Sequence, residues 1–362
     1  PGELPLPFVQ ISVVPVASVA LTDPSGAYTV PCDTGLFNVT VNLPNAWWGL
    51  TTDSTTYHPQ ITALNPVSIG NDFGYDILLD TNLLAVTIVG AQGPCGDTTA
   101  VWLNVMNLGT TNPSGTICLT LDTLYTFVSS FPSPFSISGS TYCWEFDTLG
   151  FYSQTSLMLE LVLPPTSSMG SSFINSVVAV VEDDLGLPLD TFAYAWSGTV
   201  SCSYDPNDKQ VYPIGYGEAG AVALSTRHLD YTIRFQNTGN APAIDVVLSD
   251  LLDESLDLST LQGLGYSHAP TQVSIGADRE LVVRFDGIQL PDSGASFMDS
   301  QGFFRFRIDL LPGRSHLTEI RNTAHIFFDL NPAVITNTTL TTLVDCDLIG
   351  AAISPEGWQA LL

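Results

Sequence analysis

Leu229 to Gly239 reads LDYTIRFQNTG, and this stretch decides the fold class. Leu229, Tyr231, Ile233 and Phe235 are apolar and alternate with Asp230, Thr232, Arg234 and Gln236. That is the period of a half-buried β-strand, whose successive side chains point to opposite faces. Asn237-Thr238-Gly239 then ends the strand, because Gly tolerates the positive φ of a reversal and Asn bonds its own backbone. Outward from here the same period returns in Leu281, Val283 and Phe285, and in Phe304, Phe306, Ile308 and Leu310. It returns again in Ile320, Ala324, Ile326, Phe328 and Leu330. No long window carries an amphipathic helical pattern, so the chain is expected to be all-β.

The stretch also has a second copy. Val101–Gly109 (VWLNVMNLG) aligns on Tyr231–Gly239, and Leu119-Thr120-Leu121-Asp122 on Val247-Leu248-Ser249-Asp250. Trp144-Glu145-Phe146 falls on Val283-Arg284-Phe285, and Leu163-Pro164 on Leu311-Pro312. Matching elements in matching order read as tandem β-sandwiches. The 362 residues exceed one ordinary sandwich and divide into a small β domain (1–65), two repeats (72–202 and 203–344) and a tail or start of a further module (345–362).

Charge narrows the partners. The chain has 36 Asp and Glu against 9 Lys and Arg, a net charge of −27, and every Lys and Arg lies between Lys209 and Arg321. Nucleic acids and anionic membranes need a basic face and are poor partners, so no nucleic-acid partner is expected. Stability of the first half must come from burial, strand ladders, disulfides or bound cations. No apolar run approaches the ~20 residues of a transmembrane helix. Pro1-Gly2-Glu3 lacks the basic start and apolar core of a signal peptide, so the chain reads as a mature or excised piece of an exported precursor. Cys32, Cys95, Cys118, Cys143, Cys202 and Cys346 contain no CxxC pair, and the histidines are scattered, which favours disulfides in an oxidising compartment over zinc. A Cys118–Cys143 bridge is expected: each residue reads as early in a strand, the two strands running the same way, with Cys95 at the opposite end.

Ser203–Lys209 (SYDPNDK) precedes LDYTIRFQNTGNAPAIDVVLSDLLDESLDLSTL, LVVRFDGIQLPDSGA and IRNTAHIFFDLNPAVITNTT. Together, over Ser203–Thr342, these blocks resemble the conserved-repeat surface domain of Bacteroidota proteins exported by type IX secretion. The resemblance implies Ig-like sandwiches in an extracellular, outer-membrane-associated, modular cell-surface protein. Ser25–Asp53 (SGAYTVPCDTGLFNVTVNLPNAWWGLTTD) resembles the last hairpins of a collagen-adhesin B-type domain. The function implied is a non-catalytic structural or spacer segment of an adhesin or filament, with neighbouring domains or copies of itself as partners. The alternative is an accessory module, binding surface glycans, on a secreted enzyme.

Candidate sites are few. Asp205, Asn207 and Asp208 put three oxygen-bearing side chains at the repeat junction, a candidate Ca²⁺ site, since Ca²⁺ takes about six to eight oxygens. A hydrogen-bonded Asx-turn accounts for the same residues, and no other cofactor is implied. Arg234, Arg284, Arg305, Arg307 and Arg321 occupy outward strand positions and are expected to pair across strands with Asp230, Asp286, Asp309 and Asp329. Trp47 and Trp48 fit either a sugar-stacking surface or a domain contact. Ser54, Thr98, Thr123 and Thr148 follow Asp and precede Thr or Leu, a pattern that Bacteroidota O-glycosylate. No GxSxG, HExxH or phosphate-binding glycine loop occurs, so no enzyme is expected. The apolar, uncharged Pro7–Leu21 suits strand addition, and residues 1–25 are expected to contact another copy or another domain instead of packing wholly within the chain.

Overall fold

In the computed structural model, which describes residues 5–15, 18–90, 93–202 and 206–345, strands account for nearly all regular structure. One 3-10 turn, Thr166–Ser168, is the exception among the described residues. The N-terminal unit contains β1 (Gln10–Val14), β2 (Ser18–Leu21), β3 (Gly35–Leu36), β4 (Asn38–Asn42), β5 (Trp48–Leu50), β6 (Thr56–Tyr57), β7 (Gln60–Ile61) and β8 (Tyr75–Ile77). Ile11, Val13, Phe37, Val39 and Ile61 form its small core.

The first repeat comprises β9 (Leu84–Gly90), β10 (Thr98–Asn107), β11 (Gly115–Thr120), β12 (Thr126–Phe131), β13 (Ser136–Ser138), β14 (Thr141–Phe146), β15 (Gln154–Val162), β16 (Ser172–Glu182) and β17 (Pro188–Thr199). Its two sheets run β12-β15-β10-β9 and β13-β14-β11-β16-β17. Inward residues alternate along each strand: Phe173, Val177, Ala179 and Val181 of β16 meet Ile117, Leu119, Trp144 and Leu159 in one core.

The second repeat comprises β18 (Lys209–Tyr212), β19 (Ala221–Ala223), β20 (His228–Gln236), β21 (Val246–Leu251), β22 (Leu256–Tyr266), β23 (Gln272–Ile275), β24 (Glu280–Phe285), β25 (Gln301–Leu310), β26 (Glu319–Asn322), β27 (Ala324–Phe328), β28 (Val334–Ile335) and β29 (Thr339–Val344). One sheet runs β18-β20-β25-β22, and the other contains β28-β27-β21-β24-β23. A third, β19-β29-β26, flanks them. In the two sandwich sheets β18, β20, β21, β22, β23, β24, β25, β27 and β28 take the places of β9 to β17 in order.

The repeated turns are built alike. Asn107 Oδ1 accepts the Gly109 N–H at 2.8 Å, and its Nδ2 donates to the Thr111 and Leu149 carbonyls. Asn237 Oδ1 accepts the Gly239 N–H at 3.0 Å, and its Nδ2 donates to the Ala241 and Leu290 carbonyls. Neither Gly109 nor Gly239 takes a positive φ, which corrects the reason expected for these glycines. At the first of them glycine is needed for space, because a Cβ on Gly109 would run into the Thr81 carbonyl.

The registers correct one alignment. Leu119 faces Tyr142 and Val177, while Asp250 faces Leu281 and Ala324. With Phe146 on Phe285, Asp250 therefore occupies the place of Leu119, not of Asp122. The earlier pairing was out by an odd number of residues, which exchanges the faces of a strand. By the same registers Lys209 replaces Ile88, and Asn322 falls where the first repeat has Asn175.

The units share structure instead of being strung on linkers. β2 pairs antiparallel with β23, so β2-β1-β4-β6 extends the second repeat's sheet to nine strands. Of the two contacts expected for residues 1–25, the one with another domain is present in their described part, which adds a strand to the second repeat of the same chain. An apolar, uncharged segment completes the nearest open edge, and here that edge belongs to β23. Phe8, Val19 and Leu21 accordingly join the second repeat's core, as do Met106, Leu108 and Tyr152 of the first repeat.

Candidate functional site at the repeat junction

The outer face of β20 was expected to meet water, yet Leu229 to Gln236 are all buried. The first repeat covers that face: Trp102 packs on Phe303 with ring centroids 5.6 Å apart, beside Val89 and Ala100. Every polar residue of β20 must therefore find a partner inside the junction. The Arg234 guanidinium takes both Asp208 oxygens and donates a further hydrogen bond to the Gly90 carbonyl of the first repeat. Asp230 is held by Arg305 at 3.1 Å and by Arg307 at 2.7 Å. Arg305 also lies 4.8 Å from the Tyr194 ring centroid of the first repeat, a cation–π contact. The expected cross-strand pairing is present for Arg305 and Arg307 on Asp230, though with Asp230 buried at the interface. Arg234 instead takes Asp208, and Arg284 and Arg321 pair with Asp286 and Glu319, each two residues away in sequence, at the exposed surface.

Deeper in the second repeat lies a charge pair of another kind. Lys209, the first residue of β18, pairs its Nζ with Asp250, and both side chains are 0% exposed. The Nζ stands 4.8 Å from the Tyr231 ring centroid and 5.9 Å from that of Phe306. Asn337 clamps the Lys209 backbone, accepting its N–H and donating to its carbonyl, each at 2.9 Å. Asn322 Nδ2 donates to the same Asp250 Oδ2 at 3.5 Å. Asp250 Oδ1 and Asn322 Oδ1 are buried without a hydrogen-bond partner. Burial outweighs the neighbouring carboxylate and lowers the Lys209 ammonium from its ordinary 10.5 to about 8. Burial likewise outweighs Lys209 and Asn322 and raises Asp250 above its ordinary 3.8. The pocket thus favours the uncharged form of both groups.

Between the repeats runs a cleft of about 500 Å³, bordered by consecutive residues of β17 and β18 and by Tyr194, Trp196, Tyr212 and Arg305.

The expected sites fall as follows. Asp205 lies outside the described residues. Asn207 Oδ1 accepts the Gln236 N–H at 3.0 Å, and Asp208 is the partner of Arg234. Cys118 and Cys143 face each other across β11 and β14 and form a disulfide; these strands are antiparallel neighbours, which corrects the expectation that they run the same way. Cys95 bonds Cys202, closing the ends of the first repeat, while Cys32 is free and exposed and Cys346 lies outside the described residues. Trp48 is buried against Phe151 of the first repeat, centroids 4.6 Å apart, and Trp47 is half-buried beside it. Thr98, Thr123 and Thr148 are exposed, whereas Ser54 is half-buried and donates its hydroxyl hydrogen to the Thr56 carbonyl at 2.6 Å. Lys209, Asp250 and Asn322 were missed. Their signal was a lone lysine opening a strand whose counterpart in the first repeat carries Ile88.

A model described as a domain of unknown function (DUF7619) matches residues 205–342, under half of the chain. None of the curated proteins compared matches it. Among solved structures, the chain is similar to the C-terminal domain of the AgI/II polypeptide BspA of Streptococcus agalactiae, at 12% identity and a TM-score of 0.26, covering 70% of this chain and 95% of that one. It is similar to the Enterococcus faecalis MSCRAMM ACE, described as binding its ligands by the collagen Hug model, at 13% identity and a TM-score of 0.27, with 72% and 94% covered. The S. aureus collagen adhesin CNA gives 12% identity and a TM-score of 0.24, with 74% and 93% covered. Scores this low carry no inference about a ligand.

Proposed function

We propose that this chain is a non-catalytic, rigid spacer segment of an extracellular surface protein, built to hold its modules in fixed relation. One observation supports the reading: strand addition of β2 to β23, together with the buried Arg234 bond to the Gly90 carbonyl, fastens the three units to one another. Two disulfides suit an oxidising exterior. Export by type IX secretion to a Bacteroidota outer surface rests on the sequence blocks of residues 203–342, and O-glycans on the exposed Thr98, Thr123 and Thr148 would suit such a setting. Small-angle X-ray scattering tests the rigidity. A single arrangement of the three units should fit the profile, and a profile that requires independently moving units overturns the reading.

The cleft favours a second reading, a saccharide-binding accessory module, because Tyr194, Trp196 and Tyr212 line it together with paired charges. A glycan array with no bound saccharide dismisses that reading.

A further inference from the structure

We infer that Lys209 becomes covalently joined to Asn322 through an amide between their side chains, with Asp250 as the acid–base group that moves the proton. The inference does not depend on the spacer reading; it concerns only the core of the second repeat.

The geometry comes first. Asp250 Oδ2 is contacted by Lys209 Nζ and by Asn322 Nδ2, so one carboxyl oxygen bridges the amine and the side-chain amide. This is the position of a shuttle between a nucleophile and a leaving group. The pocket is sealed, with Lys209 and Asp250 both 0% exposed and Tyr231 and Phe306 beside the amine. An amine desolvated among aromatic rings loses its proton readily and becomes a nucleophile. The unpartnered Asp250 Oδ1 and Asn322 Oδ1 are buried polar atoms that the folded core leaves unsatisfied.

Energetics supply the second argument. A buried ion pair is commonly no better for stability than apolar residues of similar size. The first repeat demonstrates the apolar solution at the same two places, with Ile88 and Leu119 at 2% and 0% exposure. It nevertheless keeps an asparagine, Asn175, where the second repeat has Asn322. Stability alone therefore gives no reason for Lys209 and Asp250, whereas chemistry does.

The step balances without an oxidant or cofactor. Neutral Lys209 Nζ attacks Asn322 Cγ, forming a C–N bond. Asp250 takes a proton from the attacking nitrogen and delivers one to Nδ2. The Cγ–Nδ2 bond breaks, ammonia leaves, and Asp250 returns to its starting state. Asp250 itself is the poorer electrophile, because its consumption would remove the group that moves the proton. Tyr231, the nearest other titratable group on the facing strand, has its phenol pushed up by burial and is a weak substitute. The product ties β18 to β26, the first strand of the repeat to one of its last.

Digestion with trypsin and mass spectrometry of the reduced, alkylated chain give the test. Because no Lys or Arg precedes Lys209, a free side chain releases residues 1–209. The cross-linked chain instead yields residues 1–227 joined to 322–362, lighter than the sum of the two peptides by one ammonia. Release of 1–209 with an unaltered intact mass overturns the inference. A branch joining 1–227 to 235–279 with loss of water places the bond on Asp250 and overturns the assignment of roles. Lys209→Ile/Asp250→Leu, which copies the first repeat's apolar pair, should fold and show no branch. Asp250→Leu alone keeps amine and amide but should also leave them unlinked; a linked Asp250→Leu protein removes Asp250 from the reaction.

Discussion

The two repeats share one strand order and one pair of Asn-x-Gly turns, yet they are fastened by opposite means. The first holds two disulfides and fills its core with Ile88, Leu119, Trp144 and their neighbours. The second has no disulfide among its described residues and buries Lys209, Asp250, Arg234, Asp208, Asp230 and Arg305. The topology is indifferent to which is used, because inward positions ask for volume and, if polar, for satisfied partners. What differs is the failure expected when a fastening is removed.

The largest effect should come from the first repeat. Cys95→Ala/Cys202→Ala frees a loop with a sequence separation of 107. On the chain-entropy argument this lowers stability by about 4–5 kcal/mol, against about 3 kcal/mol for the Cys118–Cys143 pair. Urea unfolding followed by tryptophan fluorescence measures both. Equal losses would show that the two bridges do not act through loop length.

In the second repeat Lys209→Met alone strands a buried Asp250, and the expected loss is about 3–5 kcal/mol. Lys209→Ile/Asp250→Leu should recover the part due to the unpaired carboxylate, but not the part due to the Lys209–Asn322 link. If the double variant is no more stable than the single one, the two repeats are not interchangeable at these positions and the comparison breaks.

Much of this was legible in the sequence. Alternation around Tyr231 and Val283 located strands because one face of each meets a core, and Asn107 and Asn237 announced the repeat because their turns need that side chain. What covers the other face was not legible. Alternation separates the faces of β20 but is silent on whether Arg234 meets water or another domain. Pairing of Ser18–Leu21 with β23 was equally hidden, since strand addition depends on which edge stands nearest in space. Asp250 was lost through a register error, as one aspartate aligned on another while the true counterpart is a leucine.

The turns offer a sharper and smaller test. Asn107→Ala and Asn237→Ala each delete an acceptor for one N–H and a donor to two carbonyls. Each should cost about 2–3 kcal/mol, since buried carbonyls are left unpaired. Thermal unfolding of the two variants should give similar losses. A loss confined to one would mean that the turns match in shape but not in weight.

The smallest expected effect is a difference in acid response. The first repeat contains no histidine, whereas His268 of the second lies close to the junction, with Ser267 Oγ 2.9 Å from its Nδ1. Burial lowers the His268 imidazole below its ordinary 6.5, opposed by Asp299. As pH falls through 6.5 the unfolded chain takes up a proton that the folded chain refuses until its own lower value is reached. The stability that neutral His268 contributes is therefore fully present above 6.5 and is lost as pH falls through the depressed value. Asp250, raised by burial, works in the opposite sense, because its protonation on acidification relieves a buried charge. His268→Gln separates the two. Its unfolding midpoint in urea should fall less steeply than that of the unaltered chain as pH passes below 6.5, and identical slopes would remove His268 as a source of acid sensitivity.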